Sequence, residues 1–199
     1  MTLTARDRLI GSAIELIATK GVAGTGVSEL IEQGDVSRRT LYVNFPGGKA
    51  ELMADATRSA GSSMTDLLSS LVSDTPANEA LPAFGSWWAE TLQSSAFTRG
   101  CPIVGAALGR SEAPDAADAA RETFEHWVTA LEARLEMDGV GAAESRSLAI
   151  TIIAAVEGAV LMCRAERSVD PLDQTIRQLT RLVAVMTGTS APPATLASK

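Results

Sequence analysis

The sequence predicts an all-α protein of about nine helices, and three features of the chain lead to that prediction. Apolar residues recur at steps of three and four positions, which is the spacing of a helix with one buried face. Glycine and proline interrupt this pattern at intervals suited to helix ends, and no run of alternating β-branched residues indicates a strand. With 46% apolar and 21% charged residues among 199, the composition is that of a globular chain and excludes wholesale disorder.

The N-terminal segment of the chain is predicted to form three helices in succession. The first helix is expected to begin after Thr4, whose side chain suits a capping box, and to stop at Gly21. The second covers residues 27–33. The third covers residues 38–44 and follows a four-residue turn that ends on Ser37, a good N-cap residue.

Six further helices complete the predicted chain, and proline opens three of them because it is tolerated in a first helical turn. Their expected spans are 49–72, 76–93, 103–109, 114–138, 142–167 and 171–187. We divide the chain accordingly into a first domain of residues 1–48, a second of residues 49–187 and a disordered tail of residues 188–199.

The charge of the chain is unevenly distributed. Residues 1–54 carry six Lys or Arg and six Asp or Glu, whereas residues 55–199 carry eleven basic and eighteen acidic residues and so account for the whole net charge of −7. Such a charge distribution disfavours extended, non-specific binding to nucleic acid but permits docking through a local basic face.

The compartment is predicted from what the sequence lacks. Two cysteines, Cys101 and Cys163, cannot form a disulfide framework and fit a reducing interior. The first residues do not resemble a secretory signal, and the apolar run from Leu148 to Cys163 is interrupted by Glu157 and falls short of the ~20 residues of a membrane span. We therefore expect a cytoplasmic protein without a membrane partner.

Three short helices followed by a longer one, with a tight turn between the second and third, form a helix-turn-helix arrangement. The residues at this place resemble the DNA-binding domain of the TetR/AcrR family, with a Leu-Tyr-x-x-Phe element followed by a lysine as their most specific part. The resemblance is carried by Thr25-x-Val27-x-x-Leu30-Ile31, by Gly34-Asp35-Val36-Ser37-Arg38-Arg39-Thr40-Leu41-Tyr42-Val43-Asn44-Phe45 and by Lys49-x-x-Leu52.

Three islands extend the resemblance to the LmrA/YxaF-like subgroup of that family, whose members are described as repressors of drug-resistance and aromatic-compound genes. These islands are Phe45-Pro46-Gly47-Gly48-Lys49, Gly100-Cys101-Pro102 and Glu157-Gly158-Ala159. The chain departs from the family pattern at Arg39, where a small residue is common, and at Asn44, where histidine is common. Both positions are expected to meet DNA, so an operator sequence cannot be carried over from relatives.

Chemistry and resemblance together predict eight residues that contact a double-stranded DNA operator. Arg38, Arg39 and Thr40 occupy the first turn of the recognition helix, where an arginine can hold a guanine with two hydrogen bonds. Tyr42 and Lys49 are suited to phosphates, and the others are expected at the backbone or at base edges. The full set is Thr25, Ser37, Arg38, Arg39, Thr40, Tyr42, Asn44 and Lys49. The alternative for the two arginines is a solvated surface charge, while Leu41 and Phe45 are core residues.

A single short helix makes too few contacts for selective binding, so a homodimer on a palindromic operator is predicted. The last two helices carry apolar bands wider than one small domain can cover. The predicted interface consists of Ile150, Ile153, Ala154, Ala159, Leu179, Val183 and Met186. The alternative is that these bands form the core of the monomer itself.

Most aromatic residues are gathered in the middle of the chain, which predicts a cavity for a small apolar or aromatic effector. His126 and Glu157 are possible polar anchors. The predicted ligand-binding residues are Met64, Phe84, Trp87, Trp88, Cys101, Phe124, Trp127, Glu157 and Met162. The alternative for each aromatic residue is an ordinary core position.

Other functions find less support in the sequence. The single histidine, His126, and the wide cysteine spacing argue against a metal site. The sequence has no glycine-rich loop with the spacing of a phosphate-binding motif, and no pattern singles out a catalytic pair of carboxylates. We therefore expect neither an enzyme nor a cofactor. Two alternatives remain. One is a regulator that senses oxidation through Cys101 or Cys163, and the other is an all-α interaction module without DNA binding.

Overall fold

The structure is a computed structural model that describes residues 3–189, and within that range the chain is built of nine helices without a strand, as the sequence predicts. The helices are α1 (Ala5–Lys20), α2 (Val27–Gln33), α3 (Arg38–Asn44), α4 (Gly48–Val72), α5 (Ala77–Ser94), α6 (Pro102–Ala107), α7 (Pro114–Met137), α8 (Ala142–Glu166) and α9 (Asp170–Thr187). Of the predicted disordered tail, residues 190–199 lie outside the described range.

The ends of α1 show why the sequence predicted the helix boundaries well. The Thr4 hydroxyl accepts a hydrogen bond from the Asp7 N–H, and the Asp7 carboxylate accepts one from the Thr4 N–H, which is a complete capping box. At the other end Gly21 adopts φ +72° and its N–H donates to the Ile17 carbonyl at 3.0 Å. These local interactions need no tertiary contact and are therefore readable from sequence.

One compact unit contains the chain up to Asp66 together with Thr98–Glu125, and it includes all described residues of the predicted first domain. Helix α1 packs against α2, α3 and α6. The contact with α6 is close because Gly105 has no side chain: a β-carbon there would lie 2.5 Å from the Ile17 carbonyl oxygen. The Gly100 N–H also donates to the Ala18 carbonyl at 2.9 Å, which fixes the loop before α6 on α1.

The other compact unit contains Leu67–Phe97 and, within the described range, residues 126–189. Here α5 and α8 pack on α9 and on each other. Gly85 allows α5 to approach α9, since a β-carbon at this position would lie 2.8 Å from Cγ1 of Ile176. The interior is filled by large fully buried side chains such as Trp88 and Leu172.

Helix α8 is the one described helix that is long and apolar enough to cross a membrane by length and composition. The apolar run counted from the sequence is shorter than the helix that contains it, because α8 extends over 25 residues. Helices in the core of soluble proteins pass the same test, and α8 packs against α5 and α9. Membrane insertion therefore gains only weak support.

Candidate nucleic-acid interface

The turn between α2 and α3 is held by backbone hydrogen bonds. The Val36 N–H donates to the Ile31 carbonyl at 3.1 Å, and the Asp35 N–H donates to the Glu32 carbonyl at 3.2 Å, which together form a Schellman motif. Asp35 takes the left-handed conformation of this motif with φ +47°. Gly34, which the sequence pattern favours for the tight turn, has a helical φ of −77° instead.

Gly34 is required at the turn for lack of space rather than for its conformation. A β-carbon at this position would lie 2.9 Å from the Leu30 carbonyl oxygen and 3.3 Å from Oγ of Ser12 on α1. The Arg8 guanidinium of α1 donates to the Asp35 carbonyl at 3.3 Å and ties the turn to the same helix. The turn therefore holds α3 in a fixed orientation on α1 and α2.

Helix α3 begins at the predicted cap. The Ser37 hydroxyl accepts from the Thr40 N–H at 3.1 Å and is 2.8 Å from the Thr40 hydroxyl. Because the cap satisfies an end that would otherwise fray, this seven-residue helix has a defined first turn. Arg38 and Arg39 in that turn are exposed and form no ion pair with any residue between 3 and 189.

The opposite face of α3 anchors it. Leu41 and Phe45 are 0% exposed, as the sequence predicts. The Arg6 guanidinium of α1 lies 5.1 Å from the centroid of the Phe45 ring and also pairs with Asp55 of α4. One face of the short helix is therefore buried, while the face with the two arginines remains open to solvent.

Two predicted phosphate-binding residues lie at the junction of α3 and α4. Tyr42 is 45% exposed, and its ring packs over Gly48, where a β-carbon would lie 3.2 Å from Cε1 of the ring. Gly48 also has φ +69°, so glycine suits this junction for two reasons. Lys49 is half-buried and its Nζ donates to the Val22 carbonyl at 2.8 Å. Lys49 thus has a structural contact, which the sequence gave no reason to expect, in addition to its predicted role at DNA.

Two further predicted DNA contacts have intramolecular partners. Thr25 precedes the N-cap of α2, which is Gly26, and the Thr25 hydroxyl donates to the Gly21 carbonyl at 2.7 Å. Its side chain is 2% exposed, so a DNA contact through Thr25 stays a prediction on which the proposal below does not depend. The Asn44 side-chain amide donates to the Thr40 carbonyl at 2.8 Å, which orients it along α3.

Two carboxylates of the same unit are held in the ionised form by hydrogen bonds. The Glu29 carboxylate pairs with Lys20 and accepts from the Gly26 N–H, and these hydrogen bonds lower its pKa. Hydrogen bonds from the Thr4 hydroxyl and N–H likewise lower the pKa of Asp7. The Lys20 ammonium offsets the charge of Glu29, whereas Asp7 has neutral donors and keeps its full negative charge.

The predicted ligand-binding residues belong to different compact units. In one unit Phe84 and Trp87 stack with ring centroids 5.9 Å apart, and Trp87 meets Trp88 edge-on at 4.9 Å. Trp88 is buried, and its indole Nε1 has no hydrogen-bond partner among the described residues. Trp127 is also buried, Glu157 is half-buried and Met162 is 54% exposed. In the other unit Cys101 is buried, and Met64 and Phe124 are half-buried. His126, named as a possible anchor, is exposed.

The predicted dimer residues also fall into two groups. Ala159, Leu179 and Val183 are buried within the monomer, where their side chains already pack against neighbouring helices. Ile150 and Ala154 are exposed, and Ile153 and Met186 are half-buried. Leu182, which belongs to the same predicted apolar stripe of α9, is exposed as well. The sequence does not single out the exposed Leu161 and Val185, because burial by the monomer cannot be subtracted from a periodic pattern.

A capped short helix that presents two arginines, held on a second helix by a tight turn, defines the helix-turn-helix class of DNA-binding regulators. Residues 9–56 match the sequence profile described as "Bacterial regulatory proteins, tetR family". Residues 77–178 match the profile "Transcriptional regulator LmrA/YxaF-like, C-terminal domain". The chain belongs to the TetR family of transcriptional regulators, in its LmrA/YxaF-like group.

Individual relatives agree with this assignment. An uncharacterized HTH-type transcriptional regulator of Mycobacterium tuberculosis is 29% identical over 185 residues, covering 89% of this chain and 93% of the relative. The regulator LmrA of Bacillus subtilis is 22% identical over 84% of this chain and 90% of its own length. The crystal structure of a TetR regulatory protein from Rhodobacter sphaeroides superimposes with a TM-score of 0.80 at 23% identity and covers 89% of this chain and 97% of its own, which supports the fold.

Proposed function

We propose that the protein is a homodimeric transcriptional repressor that binds a palindromic operator and releases it when a small apolar or aromatic effector binds. The observation that carries this proposal is the two-sided character of α3. Leu41 is fully buried while Arg38, Arg39 and Tyr42 face solvent, so the helix is fixed on one side and free to enter a major groove on the other. The proposed cellular location is the cytoplasm, where the chromosome of a bacterium lies.

The proposed contacts divide into those that read sequence and those that hold the backbone. Arg38 and Arg39 are assigned to base edges because they are exposed and have no competing ion pair in the described part of the chain. Tyr42 and Lys49 are assigned to phosphates because both lie at the junction of α3 and α4, where their positions are fixed by Gly48 and Val22. Ser37, Thr40 and Asn44 stabilise α3 through the N-cap hydrogen bond and the hydrogen bond from the Asn44 amide to the Thr40 carbonyl.

The proposed dimer forms through the exposed face of α8 and α9. Ile150, Ala154, Leu161 and Met162 are spaced along one side of α8, and a β-carbon at Gly158 on that side would meet no atom within 4 Å. On α9, Leu182 is 40% exposed and Val185 is 80% exposed. Exposed apolar residues repeated along two neighbouring helices are typical of a surface covered by a second copy. A two-fold dimer would place two recognition helices about 34–36 Å apart, which is one turn of DNA.

The proposed effector acts by binding the DNA-free and DNA-bound forms of the dimer with different affinity. A difference of about 1–3 kcal/mol changes operator occupancy by roughly 5–150-fold. The aromatic group of Phe84, Trp87 and Trp88 supports an apolar or aromatic ligand, since it supplies ring faces and one buried indole N–H that has no partner among residues 3–189. The long helix α4 begins directly after the recognition helix and is the proposed connection between effector and operator.

The proposal is tested by selecting binding sites from random duplex DNA with the purified protein. We expect a palindromic sequence, bound by a dimer and released by at least one compound of a panel of small aromatic molecules. The matched control is the Arg38→Ala/Arg39→Ala variant, which leaves the buried face of α3 intact. It is expected to fold normally and to lose about 1–3 kcal/mol of sequence discrimination for each base contact. Recovery of no preferred sequence by the wild-type protein would overturn the proposal.

A further inference from the structure

Val43 is an exposed apolar residue on the helix that carries the exposed Arg38 and Arg39. It is 70% exposed on the last turn of α3, and it follows the exposed Tyr42. Valine loses side-chain freedom in a helix and is not a residue that a solvent-facing helical position favours. No residue between 3 and 189 buries it, so the packing of the described chain gives no account of a valine at this position.

The position of Val43 relative to Arg39 relates it to DNA. Residues four apart lie on the same side of a helix, so the valine methyl groups and the Arg39 guanidinium project from one face. Four residues advance about 6 Å along the helix axis, which corresponds to about two base-pair steps of 3.4 Å. A major groove that receives Arg39 therefore also receives Val43 within one or two base pairs.

The major groove offers one apolar group, which is the C5-methyl of thymine. An aliphatic side chain pressed against a purine edge would cover a polar atom without satisfying it, and the C5–H of cytosine offers much less apolar area than the thymine methyl group. The adjacent arginines provide the charge complementarity that brings a duplex to this face.

We propose that Val43 is a specificity-determining residue that contacts the methyl group of a thymine in each operator half-site, one or two base pairs from the base read by Arg39. This inference rests on the proposed function, and it adds a sequence requirement that the family assignment does not supply. The methyl group can be removed from the DNA without changing its base pairing, so the proposed contact can be tested directly.

The test replaces each thymine of the selected operator in turn by uracil, which removes only the C5-methyl group. For the wild-type protein we expect one position per half-site at which uracil weakens binding about fourfold, the value of one buried methylene-sized group. Uracil at both symmetric positions is expected to weaken binding about sixteenfold. At all other thymines the substitution is expected to have little effect.

Two variants make the test specific to this side chain. Val43→Ala exposes no new polar group and favours helix, so it is expected to fold and to bind the thymine and uracil operators equally. Val43→Ile keeps an apolar side chain and is expected to retain the discrimination. The inference is wrong if uracil weakens binding of the wild-type protein at no position, or if Val43→Ala loses as much affinity on uracil substitution as the wild-type protein does. In either case the selected operator would still support the proposed function. If no operator can be selected, the proposed function and this inference both fall.

Discussion

Gly61 of α4 lies against Thr123 of α7 so closely that a β-carbon at position 61 would overlap the threonine hydroxyl and lie 3.1 Å from its Cγ2. The Thr123 hydroxyl is itself fixed, since it donates to the Ala119 carbonyl at 2.9 Å. Both residues are buried in the same compact unit. The glycine that weakens α4 by propensity is therefore the residue that permits the two helices to touch.

Gly61→Ala is expected to destabilise the protein by about 1–3 kcal/mol, because crowding in a packed interface outweighs the gain in helix propensity. The control is Gly11→Ala in α1, where a β-carbon would meet no atom within 4 Å and stability should rise by up to about 1 kcal/mol. Adding Thr123→Ala is expected to remove most of the cost of Gly61→Ala. Urea unfolding of the wild-type protein, Gly61→Ala, Thr123→Ala and the double variant measures the coupling. Stabilisation by Gly61→Ala in the wild-type background would contradict this account.

Asp138 links the end of α7 to the start of α5. Its Oδ2 accepts from the Ala77 N–H at 2.7 Å, and its other carboxylate oxygen pairs with Arg134. The Arg134 and Asp138 side chains are 12% and 7% exposed. Asp138→Ala is expected to cost about 3–5 kcal/mol, because it leaves a buried arginine without its partner and a helix end without its cap.

The matched control for Asp138 is Asp118→Ala, which breaks a surface pair with Arg110. Those side chains are 51% and 58% exposed, so the cost should stay below about 1 kcal/mol. Asp138→Asn retains an acceptor for the Ala77 N–H. Its loss of unfolding free energy is expected to lie between those of Asp138→Ala and Asp118→Ala. Equal losses of unfolding free energy for Asp138→Ala and Asp118→Ala would show that burial of the ion pair is unimportant.

Interactions within one turn of helix are what the sequence predicted best. The capping residues Thr4 and Ser37 and the stop at Gly21 follow from hydrogen bonds between close neighbours, and the structure confirms each of them. The sequence also predicts the turn before Ser37 but not the need for glycine at position 34, because the close approach of Ser12 depends on how α1 packs on α2. The left-handed conformation of Asp35 belongs to the hydrogen-bonded turn itself.

Periodicity identifies an apolar face but not the partner that covers it. Leu179 and Ile150 belong to equally apolar stripes, yet Leu179 is 6% exposed and Ile150 is 49% exposed. The same limit applies to polar residues. The sequence assigns Thr25 and Lys49 to DNA, but it does not reveal their hydrogen bonds to the Gly21 and Val22 carbonyls. Side chains with several possible partners require the tertiary structure to decide among them.

Arg39→Ala and Lys49→Ala are expected to affect DNA binding in different ways. Arg39 is exposed, so its loss should leave unfolding free energy within about 0.5 kcal/mol and reduce the preference for the operator over random DNA about tenfold or more. Lys49 donates to the Val22 carbonyl, so Lys49→Ala should cost about 1 kcal/mol of stability. It should weaken operator and random DNA alike.

Salt dependence separates the two roles of Lys49. If the Lys49 ammonium also neutralises a phosphate, Lys49→Ala should reduce the magnitude of the slope of log affinity against log salt concentration by about one. A variant with an equal loss of stability should leave the slope unchanged. Gly61→Ala can serve as that stability control, since Gly61 is buried in α4. An unchanged slope in Lys49→Ala would restrict Lys49 to its structural contact.

The proposed dimer surface predicts that a charge on the exposed face of α8 prevents association. Ile150→Asp should convert the dimer to a monomer, because an isolated carboxylate in an apolar interface would have to be desolvated. The control is Leu108→Asp, which changes a leucine that is 80% exposed after α6. Sedimentation velocity measures both, and dissociation by Leu108→Asp or a monomeric wild-type protein would refute this choice of surface.

Cys163 provides a test of the alternative that the protein senses oxidation. The thiol is 0% exposed, and burial raises its pKa above the ordinary value, so the reactive thiolate is scarce at neutral pH. We expect iodoacetamide to alkylate Cys163 only after unfolding, as measured by mass spectrometry of its peptide. Operator binding by Cys163→Ala should respond to peroxide as the wild-type protein does.

The same raised pKa fixes the sign of a pH effect on stability. The folded protein keeps the Cys163 proton at pH values where the unfolded chain, with a thiol pKa of about 8.5, has released it. Unfolding free energy should therefore fall as pH rises above about 8.5, and Cys163→Ala should show a shallower fall. Rapid alkylation of the native thiol, or a steeper fall in the variant, would contradict burial as the controlling factor and would restore oxidation sensing through this residue as the better explanation.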